Sequence, residues 1–275
     1  MGEKPTTGLA GVRIVITRAA AQSDALAREL TVRGAIPVVV PLVSFAEPED
    51  FSTLDAALAE IQQFGWIVLT SAQAVRAVIK RGEELKLNLN RTASKLRIAC
   101  VGPMTADAAE KAGFRVEYVA ETHTGAGLAA ELGPRLQGAK VFLPRSDRAN
   151  PDLPSALKRH GAVVTEVTAY RTLLPTAVDE RNLRQIADGT ADAVLFFSPS
   201  AVRHFAELFG SKQLPTLQDK LAIAAVGPVT AKALREVGVS RAVVATDTTA
   251  SAVIKALEKH FAGAVKQAQA GAKRA

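Results

Sequence analysis

The sequence predicts an α/β fold in which two similar domains are built on parallel sheets, and three observations support this prediction. Short apolar segments rich in Val and Ile alternate with amphipathic segments along the chain of 275 residues. The apolar segments are continuous rather than alternating, which is typical of strands buried on both faces of a parallel sheet. Several motifs occur twice at a nearly constant offset, which indicates two copies of one unit.

Two motifs define this repeat. The first, SAQAVR at 71–76, returns as SPSAVR at 198–203, an offset of 127 residues. The second, VGPMTA at 101–106, returns as VGPVTA at 226–231 with an offset of 125, so a short deletion lies between them. Two domains of this kind would form a cleft, which is a usual place for a ligand.

Each element of the first half is predicted from its apolar pattern and its boundaries. Gly34 and Gly113 end two of the helices, because glycine readily adopts the left-handed conformation found at helix ends. Ser71 precedes another helix and can cap its free N–H groups. The predicted strands are at 12–17, 37–43, 66–70, 96–101 and 116–119, and the helices at 22–33, 72–80, 104–112 and 127–136.

The second half repeats this order, with Ser198 at the position of Ser71. Alternation of strands and helices with short loops is the pattern of βαβ units. Residues 262–275, rich in Ala, Gln, Gly and Lys, are predicted to be a disordered tail. The predicted strands are at 140–143, 163–170, 193–197, 221–226 and 242–245, and the helices at 153–160, 201–208, 230–237 and 250–261.

Composition limits the possible functions. No stretch approaches the roughly 18 to 20 apolar residues that span a bilayer, and residues 1–11 lack the apolar core of a signal peptide. Cys100 is the only cysteine, so a disulfide within the chain and a multi-cysteine metal site are excluded. The net charge of +7 suits an acidic partner, but two Tyr and one Trp are few for stacking on bases. We expect a cytoplasmic protein that binds no nucleic acid, membrane or metal.

The repeated motifs all lie where a predicted strand ends and a helix begins. Ligands of open parallel sheets bind at this edge, and the N–H groups of helix N-termini favour anions there. The same turns also occur as simple N-caps without a ligand. The motif segments contain no Asp or Glu, which would repel an acidic ligand. The candidate binding residues are Thr17, Arg18, Ser71, Thr105, Arg145, Ser198, Ser200 and Thr230.

Other chemical motifs are less specific. Three of the four His residues fall on predicted helices, and His123 remains a candidate because it lies in a loop. The segment GAG at 125–127 lacks the third glycine of a dinucleotide fingerprint, so no cofactor is expected. Cys100 lies within an apolar strand and is interpreted as a core residue.

Six segments in a fixed order make this chain resemble the uroporphyrinogen-III synthase family. Each segment alone is unspecific, but together they extend the likeness from about residue 12 to 261. The segments are VITR at 15–18, LTSAQAV at 69–75, VGPMTA at 101–106, VTAYRT at 167–172, FSPSAV at 197–202 and VGPVTA at 226–231.

The resemblance implies two flavodoxin-like domains that are interleaved in sequence. Residues 13–40 would join 176–261 in one domain, and 47–168 would form the other. Linker strands would lie at 41–46 and 169–175, and a double linker permits hinge motion. The duplication by itself does not distinguish this arrangement from two sequential domains.

The resemblance also implies a reaction. Enzymes of the family take hydroxymethylbilane, a linear tetrapyrrole with acetate and propionate groups on every ring. They close it with loss of water and inversion of the last ring, through an azafulvene and a spirocyclic intermediate. The free bilane closes without inversion, so such an enzyme mainly selects a conformation. This protein would then be a cofactor-independent hydro-lyase of heme biosynthesis, a monomer to which hydroxymethylbilane synthase delivers the substrate.

By this resemblance, Tyr170 matches the family tyrosine at the linker. It would either donate a proton to the departing hydroxyl or simply pack against the domains. Its counterpart in the repeat is Val43, so the candidate donor lies where the two copies differ.

The other roles follow in the same way. Arg18 and Arg145 would form carboxylate forks or pair structurally at strand ends. Gln73 departs from some relatives, which leaves a contact from this position open. The residues that match hydroxyl groups of the family's cleft are Ser71, Thr105, Ser198 and Thr230.

Two other interpretations remain open. One is a non-catalytic two-domain protein that binds a tetrapyrrole or another anion, although residues 1–11 and 262–275 are too short for the DNA-binding module that a regulator would carry. The other is a periplasmic-type receptor for a small ligand, which the lack of a signal peptide disfavours.

Overall fold

The structure, a computed structural model, describes residues 8–89, 96–176, 179–210, 212–247 and 249–272, without the side chains of 264–272. The chain divides into two compact units. Unit 1 comprises Met1–Ser44 and Leu173–Ala275, and unit 2 comprises Phe45–Thr172. Each unit contains a sheet with helices, and the prediction of an α/β fold with parallel sheets is confirmed.

Unit 1 contains a sheet of five strands, and all neighbouring strands in it are parallel. Its strands are β1 (Arg13–Ile16), β2 (Ile36–Val39), β9 (Ala193–Phe196), β10 (Ala222–Ala225) and β11 (Val243–Val244). Its helices are α1 (Asp24–Val32), α7 (Glu180–Ala187), α8 (Pro199–Phe209), α9 (Gln213–Leu217), α10 (Gly227–Glu236) and α11 (Ala250–Ala272). The order across the sheet is β11-β10-β9-β1-β2.

Unit 2 contains the second sheet. Its strands are β3 (Ser44–Ala46), β4 (Trp66–Leu69), β5 (Arg97–Cys100), β6 (Val116–Val119), β7 (Lys140–Ser146) and β8 (Val163–Leu173), in the order β3-β8-β7-β4-β5-β6. Its helices are α2 (Ser52–Ala59), α3 (Ala72–Glu84), α4 (Pro103–Lys111), α5 (Gly125–Leu132) and α6 (Asp152–Arg159). The strands from β8 to β6 are parallel.

The central strand β4 shows why continuous apolar runs form this sheet. Ile67 and Leu69 belong to the hydrophobic cluster on one face, whereas Trp66 and Val68 belong to the cluster on the other. Successive strand side chains point to opposite faces, so a strand covered on both faces needs apolar residues at every position.

The two sheets have the same strand order once the repeat is considered. The order β2-β1-β9-β10-β11 in unit 1 corresponds to β8-β7-β4-β5-β6 in unit 2, because β1 and β4 are the copies of β7 and β9. Each unit therefore combines two strands from one copy with three from the other. In chain order, unit 1 has the 2-1-3-4-5 order of flavodoxin-like sheets, and unit 2 has a circular permutation of it, 5-4-1-2-3 when β4 to β8 are numbered 1 to 5. Ligands of such sheets bind where the strand order reverses. The reversal lies between β1 and β9 in unit 1, and between β7 and β4 in unit 2.

The elements differ from the sequence prediction in three respects. Helix α11 continues to Ala272 through most of the stretch predicted as a disordered tail, because Ala, Lys and Gln favour helix and extending an existing helix needs no new nucleus. Strand β8 continues to Leu173, three residues beyond its predicted end, and it pairs with β3 within the segments predicted as linker strands. Helices α2, α7 and α9 were not predicted. In the described residues, no helix combines the length and apolarity needed to cross a membrane.

Candidate functional site

In unit 2, the strand-end loops lie side by side because β4 and β5 are adjacent and end together. Ser71 caps α3, and its Oγ accepts a hydrogen bond from the Ala74 N–H at 3.1 Å. Gly102 occupies the capping position of α4. Thr105 lies in the first turn of that helix and is 6% exposed. Within the described residues its hydroxyl has no hydrogen-bond partner.

Tyr170 on β8 reaches across to the same edge. Its Oη lies 3.1 Å from Ser71 Oγ, and its ring packs edge-on against Phe45 with 5.6 Å between ring centroids. The side chain is 9% exposed. This burial raises the pKa of Tyr170 above its usual value, and the Ser71 hydrogen bond and the charge of Arg145 oppose the rise only in part. The phenol therefore stays protonated at neutral pH and can act as a proton donor.

Arg145 lies near the end of β7 and is 6% exposed. Its Nη1 donates to Glu166 Oε1 at 2.8 Å, and its Nη2 donates to the Asn150 carbonyl at 2.5 Å. Its Nε is buried and has no hydrogen-bond partner among the described residues. These contacts support the structural alternative for Arg145, while its role as a ligand-binding fork stays a prediction.

Sequence reasoning missed a polar network that fixes the backbone of Tyr170. The Asp147 N–H donates to the Tyr170 carbonyl at 3.1 Å, and Asp147 Oδ1 accepts from the Thr172 N–H at 2.9 Å. Ser146 Oγ lies 2.7 Å from Thr172 Oγ1 and also donates to Asp147. A signal was present in the sequence, since the counterpart of Asp147 in the other copy is Ala20.

In unit 1, the end of β1 places two candidates in different surroundings. Thr17 is fully buried, and its Oγ1 donates to the Leu195 carbonyl at 2.6 Å, so it joins β1 to β9. Arg18 lies with its guanidinium 5.3 Å from the centroid of the Phe197 ring, and its Nε donates to Gln22 at 2.9 Å. Thr17 therefore supports the sheet, while Arg18 lies at the carboxyl edge.

The next two strands of unit 1 reproduce the motifs of unit 2. Ser198 caps α8 and accepts from the Ala201 N–H at 3.2 Å. Ser200 is half-buried in the first turn of α8. Thr230 is 2% exposed in the first turn of α10, and its hydroxyl, like that of Thr105, has no hydrogen-bond partner in the part of the chain that the structure describes.

The remaining two candidates, His123 and Cys100, pack against other parts of the protein. His123 adopts a positive φ of 50°, and its side chain lies beside Gly102 in the neighbouring loop. Cys100 is fully buried, and this burial, with a smaller contribution from the charge of Glu110, raises the pKa of its thiol to about 12. Among the described residues, no three or more His, Cys, Asp or Glu side chains are grouped so that they could hold a metal ion.

The structure thus places most of the predicted residues at the carboxyl edges of the two sheets. Hydroxyl groups and helix N-termini there provide donors for carboxylates. In unit 2, these donors stand beside a buried, protonated phenol. Such an arrangement can bind a polyacid and deliver one proton to it.

Comparison with known proteins agrees with this chemistry. A family model described as uroporphyrinogen-III synthase HemD matches residues 24–255. A uroporphyrinogen-III synthase of Synechococcus elongatus is 28% identical over 263 residues, covering 94% of this chain and 98% of that protein. One from Chlorobaculum parvum is 28% identical over 233 residues, covering 82% of this chain and 89% of the relative.

The fold is also similar to a solved structure. A mutant uroporphyrinogen III synthase from Thermus thermophilus superposes with a TM-score of 0.63 at 23% identity, over 90% of this chain and 100% of that one. At this identity the likeness supports the fold alone.

Proposed function

The chain belongs to the uroporphyrinogen-III synthase family, and we propose that it closes hydroxymethylbilane to uroporphyrinogen III with loss of water and inversion of the last ring. The observation that carries this proposal is the contact between Tyr170 Oη and Ser71 Oγ at 3.1 Å. This contact supports the assignment of Tyr170 as a proton donor that acts next to carboxylate-binding groups.

Substrate binding is proposed to depend on the strand-end loops of both units. The acetate and propionate groups of a tetrapyrrole are carboxylates at neutral pH. The hydroxyls of Thr105 and Thr230, for which the described residues provide no partner, are suitable donors. The half-buried Ser200 and the N–H groups of the following helices are suitable as well. Arg18 adds a guanidinium, which binds carboxylates well. The net charge of +7 would favour the approach of such a polyanion.

The chemical step needs one proton. The hydroxyl of the hydroxymethyl group leaves as water when Tyr170 Oη donates its proton, while the pyrrole nitrogen lone pair forms the azafulvene. The substituted carbon of the last ring then attacks the azafulvene and forms the spirocyclic intermediate. The bond from this carbon to the bridge of the third ring breaks, and the other α carbon of the last ring bonds to the freed bridge carbon. This α carbon finally loses its proton, which restores the phenol. The net change is therefore the loss of one water molecule. The raised pKa keeps the phenol protonated before each turnover but makes it a weaker acid, so the pyrrole nitrogen lone pair must provide most of the driving force for departure of the hydroxyl.

Selection of the inverted product would come from positioning. Because the free bilane closes without inversion, the protein must hold the last ring so that its substituted carbon, and not its unsubstituted one, attacks the azafulvene first. Several fixed carboxylate contacts can impose such a geometry. No cofactor is part of this scheme.

The cellular setting is also a proposal. A cytoplasmic monomer would obtain hydroxymethylbilane from hydroxymethylbilane synthase. Rapid delivery would be useful because the free bilane closes spontaneously to the wrong isomer. The reaction would serve porphyrin and heme biosynthesis.

The test is a product analysis. Purified protein is mixed with freshly made hydroxymethylbilane, the products are oxidised, and the type I and type III isomers are separated. We expect the type III isomer to dominate, at a rate well above that in buffer. Formation of type I alone, at the buffer rate, would contradict the proposal. If the protein then still bound the tetrapyrrole, the alternative of a non-catalytic binding protein would be supported.

A further inference from the structure

A groove in unit 2 begins at Tyr170 and follows one side of α3. Its volume is about 420 Å³, which is within the range of roughly 300 to 1,000 Å³ common for ligand pockets. Phe45 and Phe51 provide apolar lining, and Gln73 and Arg76 line it on the side of α3. The groove therefore combines aromatic surface, a phenol and cationic side chains.

Three cations of α3 line this groove, and two of them are already paired with carboxylates. Lys80 Nζ lies 2.5 Å from Glu47 Oε1. Arg81 binds both carboxylate oxygens of Asp55 at 2.6 Å and also contacts Glu84 at 2.9 Å. Their charges are therefore largely neutralised within the protein.

Arg76 is different from these two cations. Its Nε donates to Gln73 Oε1 at 3.1 Å, and no ion pair joins it to a carboxylate among the described residues. The amide of Gln73 orients the guanidinium without cancelling its charge. The N–H groups of Nη1 and Nη2 remain for a ligand, and two such donors suit a carboxylate.

The position of Arg76 links it to Tyr170. Both residues line the same groove. The positive charge of Arg76 is also one of the influences that partly offset the burial of Tyr170, so it acts on the phenol through space. A carboxylate held by Arg76 would thus lie in the groove that leads to the proton donor.

We propose that Arg76, oriented by Gln73, binds a carboxylate of the tetrapyrrole substrate in the groove beside Tyr170. The inference rests on the proposed function, and it assigns the open position 73 the role of holding the arginine one turn further along α3. The occupant follows from the chemistry of the groove, since a pyrrole ring suits the aromatic lining and its acetate or propionate suits the guanidinium.

Unit 1 provides the control at the matching helix position. Arg203 is the counterpart of Arg76 and is also exposed, but the residue that corresponds to Gln73 is Ser200. The position of Tyr170 is occupied by Val43 there. Arg203→Gln thus removes the same charge from the same helix position without touching the groove.

The experiment compares Arg76→Gln, Arg76→Lys and Arg203→Gln with the unmodified protein. The KM for hydroxymethylbilane and the Kd for uroporphyrin III, measured by its fluorescence, should both rise about tenfold in Arg76→Gln, as expected for the loss of a charge-assisted hydrogen bond. The kcat should change less than about twofold, and Arg76→Lys should restore part of the affinity. Arg203→Gln should leave both constants within about twofold. Because Arg76 is exposed, the unfolding midpoints should match.

Each outcome decides the proposal. Unchanged KM and Kd in Arg76→Gln would overturn it, as would an equal loss in Arg203→Gln, which would indicate general charge attraction. If the unmodified protein forms the type III isomer but Arg76→Gln behaves identically, the inference fails and the proposed function stands. If the protein makes no type III isomer yet binds uroporphyrin III in a manner that needs Arg76, the proposed function fails and the binding site stands.

Discussion

The two units share a sheet order and a set of strand-end motifs, but they differ in what stands beside their capping serines. Ser71 and Ser198 have nearly the same backbone angles, with φ −159° and ψ 153° in one and φ −157° and ψ 155° in the other. Ser71 also contacts Tyr170, whereas the matching position in unit 1 is the buried Val43. The scaffold is thus common to both copies, and the proposed acid is found where they diverge.

Arg145 and Arg18, the matching arginines at the strand ends, also differ in their surroundings. Arg145 pairs with Glu166 on the neighbouring strand, whereas the counterpart of Glu166 in unit 1 is Val39. Arg18 lies instead over the ring of Phe197. Glu166 therefore gives Arg145 a structural partner that the matching position in unit 1 does not provide.

The largest effect is expected from removing the Tyr170 hydroxyl, which tests whether this residue of unit 2 is the proton donor. Tyr170→Phe removes only the hydroxyl, so packing against Phe45 is retained. We expect kcat for type III formation to fall about 100-fold, at the lower end of a general acid's contribution, with KM little changed. Tyr118→Phe is the matched control, because Tyr118 Oη donates to Glu131 at 2.9 Å instead. An unchanged kcat in Tyr170→Phe would exclude Tyr170 as the donor.

The second prediction tests whether a threonine from each unit contributes to substrate binding. Thr105→Ala and Thr230→Ala remove hydroxyls that have no partner in the described part of the chain, so the free energy of unfolding should change by less than about 1 kcal/mol. Each should lower kcat/KM about tenfold, the value of a hydrogen bond to a charged group. A loss in only one variant would restrict binding to one unit. Full activity in both would mean that neither hydroxyl binds the substrate.

The fold was largely predictable because its signals are local and repeated. Continuous apolar runs predicted the parallel strands, and the motif offset identified the matching strand ends. Helix α7 was missed because Leu183 and Ile186 are the only large apolar residues in a polar segment, so its apolar pattern is weak. The helical stretch after Phe261 was missed because its composition suits both a helix and a disordered tail.

The site was only partly predictable because its contacts are distant in sequence. Tyr170 and Ser71 are 99 residues apart, and their contact requires that β8 continue as far as Tyr170, which pairs with Ser146 at the end of β7. Thr17 and Thr230 are both hydroxyl residues at strand-end motifs, yet one bonds to the sheet and the other has no protein partner among the described residues. Such differences in side-chain direction depend on packing, which a single motif does not encode.

A smaller effect is expected at the two capping serines, and it separates the capping role of Ser71 from its contact with Tyr170. Ser71→Ala and Ser198→Ala each remove an N-cap, so urea unfolding should show a loss of about 1 kcal/mol in each. Ser71→Ala should also lower kcat severalfold, because Tyr170 loses the partner that orients its hydroxyl. Ser198→Ala should raise KM and keep kcat. Equal kinetic changes in the two variants would show that the Tyr170 contact adds nothing to capping.

The smallest expected effect concerns a core position at which the copies differ without chemical consequence. Cys100 ends β5, and its counterpart at the end of β10 is the fully buried Ala225. Cys100→Ala should cost about 1 kcal/mol of stability, as for the loss of one buried methylene-sized group, and leave kcat unchanged. Its pKa of about 12 leaves roughly one thiolate in ten thousand at pH 8, so iodoacetamide should modify the native protein far more slowly than the urea-unfolded chain.

Rapid modification of the native thiol, or a loss of kcat in Cys100→Ala, would contradict this assignment of Cys100 to the core. It would also weaken the comparison of the units, because a second divergent position would then carry chemistry. Slow modification of Cys100 with full activity in Cys100→Ala would mean that this difference between the copies does not affect the reaction, in contrast to the difference at Tyr170. Copies of one scaffold tolerate differences in their cores when volume is nearly conserved, whereas a difference at the carboxyl edge changes which groups meet the substrate.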